Sequence, residues 1–166
     1  MRDNVRTIVK VGIAEMKITS APGVIRTAGL GSCMGVVIYD ADRSIAGMVH
    51  VMLPNSEMSK NQYVNPAKFA DTGIAALRNK LIKAGAASSR LRAKIAGGSQ
   101  MFQFHSKSEL MRIGPRNIEA VKSRLSELGI MLAAEDTGGD NGRTIEFDPV
   151  SCVLNVKTIH MGEKNI

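Results

Sequence analysis

The segment from residue 27 to residue 50 constrains the fold most strongly, because a glycine-rich turn is followed by two short apolar runs that only a few polar residues separate. Residues 34–39 and 45–52 each have the length and apolar content of a buried strand. The short polar connection predicts an antiparallel hairpin. In such a hairpin the start of the first strand meets the end of the second, so we expect Cys33 and His50 to lie close together.

Cys33 lies in a turn that contains three glycines, residues 29–35. An imidazole is the usual base that converts a thiol into a nucleophile near neutral pH. The glycines allow φ > 0 and a close approach of the backbone to a substrate, and the N–H groups of the turn can face a developing oxyanion. The alternative is that Cys33 and His50 are ordinary core residues, because a free cysteine behaves as a small buried hydrophobe. The loop position of Cys33 favours the functional interpretation, since loops lie at the surface and carry function.

The composition is that of an ordinary globular protein, because 44% of the 166 residues are hydrophobic and 22% are charged. This length predicts a single domain, residues 1–166, with a substantial core. No apolar run approaches the roughly 18 residues needed to cross a bilayer, and the N-terminal sequence lacks the apolar region of a signal peptide. We therefore expect a cytoplasmic protein without membrane insertion.

The cysteines and histidines indicate neither a metal site nor a disulfide. Cys33 and Cys152 lie far apart in the sequence, and a reducing cytosol disfavours a bridge between them. The histidines show no ligand-like spacing, so we expect no metal and no cofactor. An imidazole beside Cys33 would favour its thiolate, whereas Cys152 falls in an alternating run, 152–159, and is expected to be an inert core thiol.

The net charge of +7 and the pI of about 9.7 permit an acidic partner, nucleic acid included. Aromatic residues make up only 4% of the chain, so no stacking platform for bases is evident and we expect no nucleic-acid partner. An RNA-binding module remains an alternative that only the charge suggests. One group of basic residues is either a solvated face or a surface that attracts a negatively charged partner: Arg78, Lys80, Lys83, Arg90, Arg92 and Lys94.

The rest of the chain predicts a layered α/β or α+β domain with about seven strands and two long helices. The further strands are predicted at residues 9–18, 24–28, 91–95, 130–134, 144–147 and 152–159, and the helices at 66–84 and 115–128. Residues 99–112 are predicted to be a loop, in which Phe102 and Phe104 belong either to the core or to a partner surface.

Five short motifs follow one another between residues 29 and 143: GLGSC at 29–33, HVMLP at 50–54, KIAGG at 94–98, IGPRN at 113–117, and EDTGG at 135–139 followed by GR at 142–143. Together they resemble the chemoreceptor glutamine deamidase family, CheD, and the resemblance runs from about residue 9 to residue 158. The resemblance implies that Cys33, His50 and Thr27 are catalytic. It also implies an α/β fold, a three-layer α/β/α sandwich, for which we expect mixed, largely antiparallel sheets.

The resemblance further implies hydrolysis of glutamine side chains to glutamate, with release of ammonia, on the cytoplasmic helical domain of chemotaxis receptors. Cys33 would attack the amide carbonyl, His50 would act as base and then as acid, and Thr27 would orient the imidazole. Hydrolysis of receptor methyl esters is an implied side activity, and a CheC-type phosphatase is an implied partner. A non-catalytic adaptor is the other alternative, although an adaptor would not need an intact Cys–His–Thr set.

Overall fold

Two five-stranded sheets and two α-helices form the part of the chain that the computed structural model describes, residues 6–101 and 112–166. The strands are β1 (Ile8–Val11), β2 (Met16–Ser20), β3 (Val24–Leu30), β4 (Met34–Asp40), β5 (Ile45–Val51), β6 (Arg92–Gly97), β7 (Met131–Thr137), β8 (Arg143–Asp148), β9 (Val153–Thr158) and β10 (Gly162–Asn165), and the helices are α1 (Ala70–Lys83) and α2 (Ile113–Glu127). The central sheet has the strand order β2-β5-β4-β6-β7, and the outer sheet has the order β1-β3-β8-β9-β10. Within the described residues, neither helix has the length and apolar character that crossing a membrane requires.

The predicted hairpin is confirmed, and it forms the middle of the central sheet. β4 and β5 pair in antiparallel fashion from Met34 opposite Val51 to Asp40 opposite Ile45. Every residue of both strands is buried, which explains why both runs are apolar along most of their length. β6 pairs antiparallel with the other edge of β4, and β7 continues the sheet in parallel with β6.

The layers are stacked in the order helices, central sheet, outer sheet. One core cluster joins α1 and α2 to one face of the central sheet and includes Ile74, Leu77 and Val121. A second cluster lies between the two sheets and includes Val37 and Ile145. The α/β class and the mixed, largely antiparallel sheets are therefore confirmed. The order of the three layers is α/β/β where the resemblance implied α/β/α, because both described helices pack on the same face.

The outward face of the outer sheet explains why no described helix covers it. Residues of β8 alternate between buried and half-buried positions, and Arg26 forms an ion pair with Glu146 across neighbouring strands at 3.3 Å. An antiparallel sheet can present such a polar face to water. A further layer of helices is therefore not needed to bury this surface.

Several local elements differ from the sequence-based prediction. Residues 9–18 form two strands, β1 and β2, that belong to different sheets, because a turn in which the Glu15 N–H donates to the Gly12 carbonyl at 3.1 Å separates them. Cys152 precedes β9 in a turn, with φ of 56°, and is not a strand residue. β10 was not predicted, since its sequence GEKN lacks apolar alternation. Phe102 and Phe104 lie outside the described residues, so their placement stays a prediction.

Candidate active site

The hairpin brings the strand ends that carry Cys33 and His50 to the same edge of the molecule. Gly35 lies directly opposite His50 in the β4–β5 pairing, and Cys33 comes two residues before Gly35, so it falls on the same side of the sheet. Cys33 packs against the cluster between the two sheets. A Cβ on Gly35 would lie 2.5 Å from Cδ1 of Ile145, so glycine at this position lets the outer sheet approach closely beside the imidazole.

Thr27 reaches the same place from the other sheet. It lies in β3, it is 2% exposed, and its Oγ1 is 2.8 Å from Nδ1 of His50. The same hydroxyl donates its proton to the Val11 carbonyl at 2.7 Å. Because a hydroxyl has a single proton and a carbonyl can only accept, Thr27 must accept a hydrogen bond from His50, whose Nδ1 therefore carries the imidazole proton.

Nε2 is consequently the nitrogen of His50 that holds the free lone pair. This atom is buried and has no hydrogen-bond partner among the described residues. Both backbone polar groups of His50 are hydrogen-bonded to one neighbouring segment, because the Ala14 N–H donates to the His50 carbonyl at 3.0 Å and the Glu15 carbonyl accepts from the His50 N–H at 3.1 Å. Burial lowers the pKa of His50, so the ring is neutral near pH 7 and suited to accept a proton.

The thiol of Cys33 is half-buried. Burial raises the pKa of Cys33, and a hydrogen bond from its own backbone N–H offsets part of that effect. The free protein therefore holds a neutral thiol and a neutral imidazole, and no hydrogen bond joins these two described residues, which differs from the expectation that the imidazole would favour a resting thiolate. Such a pair needs the base to remove the thiol proton during the attack itself.

Two glycines of the KIAGG motif support the turn that contains Cys33. The Gly98 N–H donates to the Cys33 carbonyl, and the Ser99 N–H donates to the Gly31 carbonyl, both at 2.9 Å. Gly97 has φ of 116°, and a Cβ there would collide with the Cys33 carbonyl. Only glycine combines this backbone conformation with such a close approach.

Arg143 is a supporting residue that the sequence analysis did not single out. It is 7% exposed, and it donates to Oγ of Ser99 at 2.9 Å and to the Gly138 carbonyl at 2.8 Å. Its Nε also forms an ion pair with Asp136 at 3.3 Å. Arg143 thus joins the acidic, glycine-rich loop to the segment that supports the Cys33 turn. The motif that ends in GR contained the signal, but the burial of the arginine is a tertiary property.

The remaining thiol and part of the basic group have structural contacts of their own. Burial raises the pKa of Cys152 as well, and its Sγ approaches the Pro149 carbonyl at 3.6 Å. Lys94 donates to the Cys152 carbonyl at 2.6 Å, and Arg90 donates to the buried carboxylate of Asp40 at 2.9 Å. Lys94 and Arg90 therefore support the fold, so the group of six basic residues is not one free surface.

Within the described residues, no three His, Cys, Asp or Glu side chains form a cluster that could hold a metal ion.

Comparison with known proteins gives one consistent family. A family model described as "CheD chemotactic sensory transduction" matches residues 52–158. The "Chemoreceptor glutamine deamidase CheD" of Bacillus subtilis (strain 168) is 53% identical over 159 residues, which are 96% of this chain and 96% of the relative. The protein of the same name from Halalkalibacterium halodurans is 54% identical over 159 residues, 96% of this chain and 98% of the relative. A "Probable chemoreceptor glutamine deamidase CheD" from Oceanobacillus iheyensis is 56% identical over 154 residues, 93% of each chain.

Proposed function

This chain belongs to the chemoreceptor glutamine deamidase family, CheD, and we propose that it hydrolyses glutamine side chains of chemoreceptors with Cys33 as nucleophile, His50 as base and acid, and Thr27 as the residue that orients the imidazole. The class of enzyme is therefore protein-glutamine glutaminase, in agreement with the names of its relatives. The observation that carries the proposed mechanism is the buried Nε2 of His50, which has no partner in the part of the chain that the structure describes, while Nδ1 of the same ring is hydrogen-bonded to Thr27.

The first half of the reaction forms a thioester. Nε2 of His50 takes the thiol proton while Sγ of Cys33 adds to the carbonyl carbon of the glutamine side chain. The resulting imidazolium then protonates the departing nitrogen, the C–N bond breaks, and ammonia leaves. General acid–base catalysis of this kind contributes roughly 10²–10⁴-fold to the rate.

The second half of the reaction consumes water and restores the enzyme. His50 removes a proton from a water molecule, the resulting hydroxide adds to the thioester carbonyl, and the C–S bond breaks to release glutamate. The proton held on the imidazole returns to Sγ of Cys33. The net change is one amide and one water converted to one carboxylic acid and one ammonia, so no cofactor or metal enters the balance.

Thr27 contributes through the imidazole and does not contact the reacting atoms in this scheme. Its hydroxyl holds the tautomer in which Nε2 is free, the task of the third member of a catalytic triad. A neutral hydroxyl stabilises an imidazolium less than a carboxylate does, but the hydroxyl itself donates to the Val11 carbonyl at 2.7 Å. Hydrogen bonds in such a chain polarise one another. The bond to the Val11 carbonyl therefore makes Oγ1 of Thr27 a stronger acceptor for the proton on Nδ1 of His50.

The backbone N–H groups in the turn around Cys33 are our candidates for stabilising the tetrahedral oxyanion. A glycine-rich turn can aim several N–H groups at one point without side chains in the way, and such donors stabilise charge as it develops in the transition state. The hydrogen bonds that the Gly98 and Ser99 N–H groups donate to the Cys33 and Gly31 carbonyls fix the backbone of this turn. The donors would therefore be in place before the substrate binds.

We place the protein in the cytoplasm, acting on the helical cytoplasmic domain of receptors, with a CheC-type phosphatase as a partner and receptor methyl ester hydrolysis as a side activity. The same thioester would form from a methyl ester, with methanol as the leaving group in place of ammonia. The names of the relatives support the chemoreceptor substrate. The phosphatase partner and the esterase activity rest on the family resemblance alone.

Mass spectrometry of receptor peptides, combined with measurement of released ammonia, tests the proposal. The wild-type protein should convert specific glutamines to glutamates, with one ammonia per conversion. Cys33→Ala and His50→Ala should abolish turnover, whereas Cys152→Ala, the matched control, should retain it. Turnover that survives Cys33→Ala would refute the thiol mechanism, and receptor peptides that stay unmodified by the wild-type protein would refute the deamidase function.

A further inference from the structure

Asn117 lies in the first half of α2 and is fully buried, with 0% of its surface exposed. Its Nδ2 donates one hydrogen bond to the Ser32 carbonyl and a second to the Met52 carbonyl, each at 2.9 Å. Both protons of the side-chain amide are therefore used. Ser32 precedes Cys33, and Met52 follows His50 by two residues, so one side chain joins the two segments that carry the proposed nucleophile and base.

The backbone ladder of the hairpin stops before it reaches Cys33 and Met52. The β4–β5 pairing ends at Met34 opposite Val51, and the next residue, Met52, turns away because its N–H donates to the Lys68 carbonyl at 2.8 Å. Cys33 and the Met52 backbone would otherwise form the next pair of the ladder. Asn117 supplies a side-chain bridge at the point where the backbone bridge is missing.

We propose that Asn117 is a positioning residue, which sets the separation and angle between Sγ of Cys33 and Nε2 of His50 by holding the Ser32 and Met52 carbonyls. This inference rests on the proposed function, because it assigns Asn117 to the geometry of the same two groups.

The chemistry of the alternatives explains why an asparagine suits this position. An aspartate would direct a carboxylate oxygen at two carbonyl oxygens, and an apolar residue would leave both carbonyls without this donor. Oδ1 of Asn117 is buried and has no hydrogen-bond partner among the described residues. An unpaired buried acceptor is unfavourable for stability. The presence of an asparagine at this position is therefore better explained by the two hydrogen bonds that Nδ2 donates than by a general contribution to stability.

The test compares Asn117→Ala with Val121→Ala, a control one turn further along α2. Val121 is also fully buried and belongs to the core cluster beneath the helices, so its truncation weakens the packing of the same helix without touching the bridge. For each variant we would measure the melting temperature, kcat and KM on a receptor fragment, and the pH profile of Cys33 alkylation by iodoacetamide. Alkylation of Cys152 in the same sample provides an internal reference.

We expect Asn117→Ala to lower kcat about tenfold or more, which is the loss that a modest misplacement of reacting groups produces, with a smaller change in KM. It should also slow the alkylation of Cys33 relative to Cys152 and move its pH profile towards higher pH. Val121→Ala should lower the melting temperature but leave kcat and the Cys33 profile at the wild-type values. An unchanged Cys33 profile in Asn117→Ala, or an equal effect of Val121→Ala, would overturn the inference.

Asn117→Ser provides a second variant if Asn117→Ala does not fold. Its hydroxyl is too short to bridge both carbonyls, so it should show the same slower alkylation of Cys33, and a wild-type profile would count against the bridge. Alkylation needs no receptor, so this readout separates the two claims. A wild-type protein that fails to deamidate refutes the proposed function, whereas the alkylation profiles decide the role of Asn117.

Discussion

Replacing Thr27 with valine tests the assignment of the His50 tautomer most directly, because valine keeps the branched shape of the side chain and removes only the hydroxyl. In the structure this hydroxyl accepts from Nδ1 of His50 at 2.8 Å and donates to the Val11 carbonyl at 2.7 Å. Thr27→Val therefore leaves two polar groups between the sheets, Nδ1 of His50 and the Val11 carbonyl, without this hydrogen-bond partner. The substitution should therefore reduce both stability and activity, for separate reasons.

The stability effect comes from the polar groups left unpaired. A buried donor or acceptor without a partner costs about 1–3 kcal/mol, so the two groups together should lower the free energy of unfolding by at least about 2 kcal/mol. For a chain of this size, each kcal/mol corresponds to a melting temperature change of roughly 2–4 °C. We therefore expect Thr27→Val to melt at least about 4 °C below the wild type by the same scaling.

The activity effect comes from the position of the imidazole proton. A hydrogen bond of this kind contributes about 0.5–1.5 kcal/mol net, and 1.36 kcal/mol corresponds to a factor of ten in rate. Without the Thr27 acceptor, Nδ1 no longer favours the proton over Nε2, and the fraction of His50 with a free Nε2 falls. We expect kcat/KM to fall up to about tenfold by this arithmetic, and the loss should appear in kcat because the tautomer governs the chemical step.

The assay combines ammonia release from a receptor fragment with ¹⁵N NMR of the His50 ring, which distinguishes the two tautomers. Thr27→Ser is the matched control, since it keeps the hydroxyl and should retain the wild-type tautomer and nearly all of the activity. The reasoning is refuted if Thr27→Val keeps both the Nδ1–H tautomer and the wild-type kcat/KM. It is equally refuted if Thr27→Ser loses as much activity as Thr27→Val, because the hydroxyl would then be irrelevant.

Arg143→Met should lower the free energy of unfolding by about 1–3 kcal/mol, because it removes the buried hydrogen bonds to Ser99 and Gly138 and one of the two cations that pair with Asp136, the other being Lys164 at 3.2 Å. A urea titration that shows less than about 1 kcal/mol, the value of an exposed pair, would contradict this role. The acid limb of the pH profile of kcat/KM should have its midpoint below the usual histidine pKa of about 6.5, because burial lowers the pKa of His50 and protonation removes the base. A midpoint above that value would show that another group controls the rate. Finally, kcat/KM on intact receptor should fall as salt rises from about 50 to 300 mM, because exposed charges steer association and salt screens them. A neutral glutamine peptide serves as the control, and an equal salt response with both substrates would exclude steering by the net charge of +7.

The sequence by itself determined the hairpin and the end of it at which the thiol and the imidazole lie. Both strands are apolar runs of strand length with a short polar connection, which is local information. The antiparallel register then follows, and with it the position of Gly35 opposite His50. The apolar stripes of α1 and α2 were predictable on the same ground, because helical periodicity is a property of neighbouring residues.

Only the tertiary structure decided how Thr27 meets His50, because the two residues belong to different sheets and the bond between them crosses the core. The tautomer of the imidazole depends on a third element, β1, because it follows from the hydrogen bond that the Thr27 hydroxyl donates to the Val11 carbonyl. The bridges made by Arg143 and Asn117 likewise join segments that are 44 and 85 residues apart. Sequence periodicity indicates which face of an element is buried, but it contains no information about which distant backbone carbonyl a side chain on that face will contact. Those long-range hydrogen bonds determine the geometry of the site.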